Sequence, residues 1–259
     1  MVPKSFDIVG NIAILKFPEE MKKSDKIKSA MEILENHKSI KTVVEKYGKF
    51  KGRLRKMKTS YLAGERTKIA FYRENNCVFQ FDIDETYFSP RLSNERKEIA
   101  SQVGKEKNVL VMFAGVAPFS IVIAKNSHAK NVVSVEINRK ASNFAEKNVL
   151  LNKVKNVEVV QGDVKKISSK FFSEEKKFDR IVMPRPQLKD TFLESAFLLS
   201  KRGTVINYYG FSKEQDEILS SINKDAKKSR KKIKIIRVKK AGDIAPYKFR
   251  WRVDFRVLR

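Results

Sequence analysis

From Val109 to Tyr208 the sequence alternates short apolar runs with longer mixed stretches, and that order leaves few ways to fold. Val109 to Phe113, Val132 to Glu136, Val157 to Val160, Phe178 to Met183 and Gly203 to Tyr208 have the length and apolar content of buried strands. Pro118 to Ala124, Arg139 to Leu151, Gln187 to Leu199 and Lys213 to Ile222 read as the helices between and after them. On the second of these, Ala141, Phe144, Ala145, Val149 and Leu151 are among the apolar positions of an amphipathic helix. Strands joined by crossover helices predict a mostly parallel sheet covered on both faces, an α/β fold of the Rossmann-like kind. Lys232 to Lys239 and Lys248 to Leu258 then close the chain as two strands with no long helix between them, which predicts a terminal antiparallel hairpin.

The first third follows a different pattern. Phe6 to Phe17 reads as two short strands around Gly10-Asn11, Pro18 to Leu34 as a helix, and Arg66 to Arg73 with Cys77 to Ile83 as two strands around Glu74-Asn75-Asn76. These make a small α+β unit over residues 1–86, and the junction at Phe88-Ser89-Pro90 opens the larger unit, 87–259. A chain of 259 residues with 41% hydrophobic residues can fill both cores.

Charge narrows the partners. The formal net charge is +26, and so large an excess opposes compaction by self-repulsion unless a polyanion meets it. Nucleic acid is the first candidate and an anionic membrane surface the second; a lysine-biased composition accounts for part of the excess but less well for its runs. One run is Lys49 to Lys58. The other spans Lys227 to Lys240 without an acid, and in its latter half Ile233, Ile235, Ile236 and Val238 nearly alternate with Lys and Arg, as on a strand with one basic face. Either run suits a phosphate backbone, and either, taken alone, suits a solvated face equally. No eighteen-residue apolar window exists, so no membrane span is expected. The start of the sequence lacks a long apolar signal region, and the single cysteine, Cys77, has no internal partner, as in a reducing cytoplasm. His37 and His128 have no metal-ligand spacing, so no metal is expected.

Ligands of open α/β sheets bind beyond the carboxyl ends of the strands. The first of those ends is Phe113-Ala114-Gly115-Val116-Ala117-Pro118-Phe119, where small residues let a ligand approach the backbone. The second is Glu136, 21 positions after Gly115, an acceptor for ribose hydroxyls; the third is Asp163, an acceptor for an adenine amino group. A turn glycine and helix-capping acids give the same letters one at a time; three in register describe a nucleoside site. The loop is not Gly-x-Gly-x-x-Gly, which argues against a pyrophosphate cofactor and for S-adenosylmethionine.

The stretch Tyr87-Phe88-Ser89-Pro90-Arg91-Leu92-Ser93-Asn94-Glu95-Arg96, followed by Met112 to Ile121, resembles the archaeal and eukaryotic tRNA guanine-37 N1-methyltransferases. The resemblance runs on through Val135-Glu136-Ile137-Asn138, Asn148, Leu151-Asn152-Lys153, Gly162-Asp163-Val164, Phe178 to Met183, Tyr208-Tyr209 and Ala245-Pro246, nearly the whole chain. It implies a class I methyltransferase fold, S-adenosyl-L-methionine as cofactor, and the anticodon loop of tRNA at position 37 as partner, in the cytoplasm; a monomer is expected. It implies Glu95 as the general base that takes the guanine N1 proton and Arg91 as its helper, although two residues four apart on a helix also simply pair. It implies cofactor contacts at Phe113, Ala114, Gly115, Val116, Pro118, Phe119, Glu136, Ile137, Asp163 and Val164. Substrate contacts fall at Pro184, Arg185, Pro186 and Tyr208, with core packing an equal reading for Tyr208-Tyr209.

Three departures bear on the target. Val111-Met112 stands where the family has Asp, and Ala117 stands for the loop's second glycine, which predicts slight crowding of the cofactor. Pro184-Arg185-Pro186 replaces an Asn-Leu-Pro whose amide helps hold the base, and Pro184 has no N–H to offer. The altered clamp makes C7 of 4-demethylwyosine, made at the same tRNA position, a target on a par with guanine N1. Aminocarboxypropyl transfer from the same cofactor, and tRNA binding without catalysis, are the competing readings.

Overall fold

The computed structural model describes residues 6–52, 54, 56–184, 190–245 and 247–259. The chain begins with β1 (Asp7–Val9), β2 (Ile12–Leu15), α1 (Lys23–Asn36), β3 (Thr42–Lys51) and β4 (Lys56–Gly64). These form a four-stranded sheet in sequence order, parallel only between β2 and β3, which α1 connects. Ala30 and Ile33 of α1 close its core against Ala13, Leu15, Val43 and Leu62. The described residues of the first basic run lie at the end of the long β3–β4 hairpin, in the last residues of β3, at Gly52 and Leu54, and in the first of β4. Sequence periodicity passes over this hairpin because its strands carry lysines rather than alternating apolar residues.

Next comes a separate hairpin, β5 (Ile69–Glu74) and β6 (Cys77–Asp82), turned at Asn75 and Asn76, whose φ values of 47° and 60° suit a tight two-residue loop. It joins neither sheet. Two asparagines of the larger unit stand in for a neighbouring strand: Asn148 exchanges both hydrogen bonds with the Gln80 backbone, at 2.8 and 3.1 Å, and Asn152 does the same with Val78, at 2.8 and 2.6 Å. On its other side Phe71 N–H donates to Asn11 Oδ1 at 2.8 Å. The fit is tight: a Cβ on Gly10 (φ 60°) would lie 1.9 Å from the Phe71 carbonyl oxygen.

The larger unit continues with a 3-10 turn (Pro90–Leu92), α2 (Ser93–Ser101), β7 (Asn108–Met112), α3 (Pro118–Asn126), β8 (Asn131–Glu136), α4 (Arg139–Leu151) and β9 (Val157–Gln161). It ends with α5 (Val164–Ser173), β10 (Phe178–Met183), α6 (Leu193–Leu198), β11 (Ser200–Ser212), α7 (Gln215–Lys228), β12 (Ile233–Ala245) and β13 (Lys248–Val257). Seven strands lie in the order β12-β13-β11-β10-β7-β8-β9, parallel from β11 to β9, with β13 and β12 added antiparallel. The expected fold and terminal hairpin are both present. Val109 to Met112 are at most 1% exposed, as a central strand covered on both faces requires. One apolar cluster packs Ile99, Ile121 and Ala145, from α2–α4, on one face; the other packs Phe171, Phe197 and Ile222, from α5–α7, on the opposite face.

Four details differ from the sequence reading. The helix expected over Gln187 to Leu199 is short: α6 spans Leu193–Leu198, residues 190–192 lie outside it, and 187–189 fall outside the described residues. Helix α5 was not anticipated, and β11 is thirteen residues long, extending well beyond Tyr208. Strand β12 carries a bulge between Ile235 and Arg237, which turns Ile236 out to 51% exposure and breaks the expected alternation. No helix among the described residues is long and apolar enough to cross a membrane.

Candidate active site

The chain passes from β7 outward to β8 and β9, then returns to place β10 on the other side of β7. That reversal opens a crevice at the carboxyl ends of β7 and β10. The loop leaving β7 is built from left-handed residues, Phe113 (φ 57°), Gly115 (φ 58°) and Ala117 (φ 64°). Its backbone is tied at three points: Ala114 N–H donates to Val135 O at 3.0 Å, Gly115 N–H to the Glu136 carboxylate at 2.8 Å, and Asn148 Nδ2 to Val116 O at 3.2 Å. Pro118 then starts α3 at a position where a missing N–H is harmless.

A single cleft is lined by Phe113, Ala114, Gly115, Pro118 and Phe119 from this loop, by Glu136, Ile137 and Asn138 after β8, by Val164 after β9 and by Pro184 after β10. Tyr87, Phe88, Ser89 and Leu92 form its other wall, and Leu54 reaches it from the β3–β4 turn. Glu136 accepts from Gly115 N–H through one oxygen and from Asn138 N–H through the other, both at 2.8 Å. Burial pushes its carboxyl pKa up, and the backbone donors only partly offset this. Each oxygen keeps a lone pair for a hydroxyl donor. The remaining walls are mostly aromatic, aliphatic or small, and the cation on them among the described residues, Arg96, is engaged by Glu74 and Ser89 O. Such a cleft suits a neutral nucleoside that carries a cation and does not suit a phosphate chain.

Three expectations change here. Ala117 is completely buried in the core rather than on the cleft wall, so its methyl group does not crowd a ligand; its cost is a left-handed alanine, about 1 kcal/mol. Asp163 caps α5, accepting from Lys165 N–H at 2.8 Å, and its neighbour Val164 is the residue on the wall. Val116 is likewise fully buried beneath the loop.

The Phe88-Ser89-Pro90 stretch is fixed from behind. Phe88 stacks on Phe81 with centroids 4.6 Å apart, and the Arg96 guanidinium lies 5.1 Å from the Phe88 ring and 5.8 Å from that of Phe119. Arg96 is 1% exposed and meets Glu74 through both Nε and Nη2, with a further bond from Nη2 to Ser89 O at 3.0 Å. Arg91 sits in the 3-10 turn, not in α2, so it does not share a face with Glu95. It is 79% exposed and pairs with Asp7 at 3.4 Å.

Glu95 lies in the first turn of α2 and is buried against the sheet. Its Oε2 accepts from Tyr209 Oη at 2.9 Å and Arg252 Nη1 at 2.7 Å, and its Oε1 faces Lys239 Nζ at 2.8 Å. One turn on, Glu98 takes Arg252 Nη2 at 2.5 Å, Arg237 Nη1 at 2.7 Å and Lys239 Nζ at 2.5 Å. Arg252 also pairs with Asp254 at 3.1 Å, which accepts from Asn207 at 2.6 Å. The pleat explains the arrangement. Asn207 and Tyr209 on β11 lie opposite Asp254 and Arg252 on β13 and share the α2 face, whereas Tyr208 points the other way, 3% exposed in the second cluster. Tyr208 is therefore core packing, and Tyr209 is the tyrosine that meets Glu95; both Tyr209 and Glu95 are buried behind the residues that line the cleft.

Burial alone would raise the Glu95 pKa, but the Lys239 hydrogen bond, the Arg252 charge and the Tyr209 hydroxyl outweigh it and hold the carboxylate ionised below its usual range. Burial works on Glu98 in the same direction, and bonds from Arg252 and Lys239 hold it down at about 2. A depressed carboxylate stabilises the fold above its unfolded pKa and loses that contribution as pH falls toward its folded pKa. Chemical denaturation should therefore show stability falling between pH 4.5 and 2, and Glu98→Gln should flatten that fall by about 1–3 kcal/mol. An unchanged slope in the variant would contradict the assignment.

Of the substrate-side candidates, Pro184 lies on the cleft wall; Arg185 and Pro186 lie outside the described residues. No cluster of three metal-ligating side chains occurs among the described residues. The partners of Glu95 that sequence spacing did not suggest, Tyr209, Lys239 and Arg252, lie over a hundred positions away. The available signal was Arg252 and Asp254 interleaved with Val253 and Phe255, charge on one face of an otherwise apolar strand.

The comparisons agree with this geometry. Residues 70–236 match the model of the TRM5/TYW2 methyltransferase domain, and residues 1–67 that of the TYW2 N-terminal domain. The chain is 38% identical to the tRNA (guanine(37)-N(1))-methyltransferase Trm5b of Pyrococcus abyssi, over 99% of this chain and 76% of that one. It is 32% identical to the tRNA (guanine(37)-N(1))/4-demethylwyosine(37)-methyltransferase Taw22 of Nanoarchaeum equitans, over 96% and 98%. Among solved structures it resembles aTrm5 in its complex with tRNALeu, with a TM-score of 0.86 at 28% identity, covering all of this chain and 73% of the other.

Proposed function

The chain belongs to the TRM5/TYW2 methyltransferase family, and from that premise we propose that it methylates the base at position 37 of tRNA using S-adenosylmethionine, with N1 of guanine as the target. The observation that carries this reading is the cleft at the switch point, where the β7 loop, Glu136 and Val164 meet the Phe88 segment and Pro184. Glu136 and the loop 113–119 would hold the nucleoside part of the cofactor, and Phe88, Phe113 and Phe119 would surround its charged end. When bound, the cofactor supplies an electrophilic methyl carbon on a positively charged sulfur.

The protein's own work is orientation and proton removal. Glu95 is assigned as general base: the N1–H bond of guanine breaks toward its carboxylate, and the electron pair left on N1 forms the new bond to carbon. Arg252 and Tyr209 position the carboxylate. We place tRNA recognition in residues 1–86 and catalysis in 87–259; the β3–β4 turn, which brings Leu54 to the cleft, supports contact between the two at the site. The high positive charge suits the phosphate backbone of the substrate.

A second target, C7 of 4-demethylwyosine, is favoured by Pro184 on the wall where the family's amide donor is expected, and by Taw22, whose name carries both targets. Purified protein given methyl-labelled cofactor and tRNA bearing either base at position 37 decides between them. Label on guanine N1 is the expected result; label only on the tricyclic base would transfer the assignment to the second target. Label only at another tRNA position would overturn both.

A further inference from the structure

The terminal hairpin exposes a large ring at its tip, on a backbone that does not favour one. In the register of β12 and β13, Ala245 opposes Lys248, so two residues connect the strands and Tyr247 is the second of them. Tyr247 has a φ of 56°, in the left-handed region that Gly or Asn normally fills at such a turn. Its side chain is 80% exposed, more than any other large hydrophobic side chain among the described residues. A left-handed backbone costs a bulky residue conformational energy, and an exposed ring recovers little of it by burial. The fold therefore gains nothing from tyrosine here, since glycine would turn the chain with less strain.

The tip stands at the edge of the sheet where the cleft opens. Met183 on β10 opposes Tyr208 on β11, Tyr208 opposes Val253 on β13, and the hairpin runs on past Ser212, the last residue of β11. Tyr247 is six residues from Val253, about 20 Å at the rise of a strand. The ring thus lies beyond the level of Pro184, and it meets a base other than the one being methylated. Between the two levels, Ile244 and Arg250 of the hairpin share a cavity with Pro90 and Arg91, and the wall of that cavity at Tyr87, Phe88 and Ser89 is also a wall of the cleft. Lys240, Lys248 and Arg250 flank the turn against one acid, Asp243. An exposed ring among cations is the combination that holds single-stranded RNA, with a base stacked on the ring and phosphates beside the cations. We propose that Tyr247 is a stacking platform for an unpaired base of the anticodon loop other than the base at position 37. This rests on the position-37 reading. Stacking adds affinity without reading sequence, because every base has a π face. Tyr247 holds the loop and leaves the choice of target base to the cleft.

The test uses the full chain and tRNA with guanine at position 37. Tyr247→Ala should weaken tRNA binding about 5- to 100-fold, whereas Tyr247→Phe should bind as wild type does. Single-turnover methylation at saturating tRNA should keep its wild-type rate in both, because the loss lies in binding and not in the chemical step. The dependence of affinity on salt should keep its slope, since no phosphate contact is removed. Tyr247→Gly, which suits the left-handed turn, should lose the same affinity while unfolding at no lower a temperature than wild type, so that the loss is not one of folding. 2-Aminopurine placed in turn at each unpaired loop position other than 37 finds the stacked base. At one position wild type and Tyr247→Phe should quench its fluorescence, and Tyr247→Ala should not. Wild-type affinity in Tyr247→Ala would overturn the proposal. So would weaker binding with no such position, which would make Tyr247 a packing residue of the turn. The methyl label is located in the same samples. Label at position 37 together with either of those results overturns this proposal alone; label at another tRNA position overturns the position-37 reading and this proposal with it.

Discussion

Glu95→Gln is expected to slow methyl transfer to guanine N1 by about 10²–10⁴-fold, with cofactor and tRNA affinities nearly unchanged. The substitution keeps the shape of the side chain and an acceptor for Tyr209 and Arg252, and removes the ability to take a proton together with the negative charge that faces Lys239. Arg252 keeps two carboxylates, Glu98 and Asp254, at 2.5 and 3.1 Å, so its charge stays compensated. The fold should therefore survive, which thermal unfolding of the same sample checks. The loss should lie in the chemical step, visible in single turnover at saturating tRNA. If Glu95→Gln retained wild-type rates in a folded protein, Glu95 would be a structural member of the ion cluster and the base would lie elsewhere.

Arg96→Met should have the largest effect on stability, about 3–5 kcal/mol lost, or a Tm lower by roughly 6–20 °C at about 2–4 °C per kcal/mol. Arg96 and Glu74 meet with their side chains 1% and 3% exposed, through two parallel hydrogen bonds, one of them 2.6 Å long. Removing the guanidinium leaves a carboxylate buried without a cation and withdraws the donor that holds Ser89 O. The pair links the β5–β6 hairpin to α2 and also backs the rings of Phe88 and Phe119 on the cleft wall. The double variant Glu74→Met/Arg96→Met removes the stranded charge and should recover most of the stability. Cofactor affinity, however, should stay reduced, because the Phe88 wall has lost its support. A double variant as unstable as the single one would mean that packing, not charge, holds this junction.

These expectations follow from residues that differ in how openly the sequence declares them. The loop 113–119, Glu136 and Val164 were legible because each directly follows a short apolar run, and parallel strands bring such ends to one edge of the sheet. Helix α4 was found at its observed bounds because its apolar positions repeat with the helical period. The β3–β4 hairpin escapes periodicity because lysines interrupt its pattern, whereas α5 carries Val164, Ile167 and Phe171 at helical spacing, a signal that was available in the sequence. Arg91 and Tyr208 were placed by local spacing, and local spacing does not say which way a side chain faces when a 3-10 turn replaces a helix or when the pleat register is unknown. Asn148 and Asn152 read as ordinary helix residues, although their amides replace a missing strand for β6.

The sequence by itself determined the parallel sheet, its terminal hairpin, the loop 113–119 that lines the cleft and the family, because these depend on periodicity and on contiguous motifs. Tertiary structure alone decided the state of Glu95. Its partners Tyr209, Lys239 and Arg252 come from three strands whose neighbours are set by sheet order, and whether a carboxylate is buried, ionised and open to a substrate depends on what surrounds it in space.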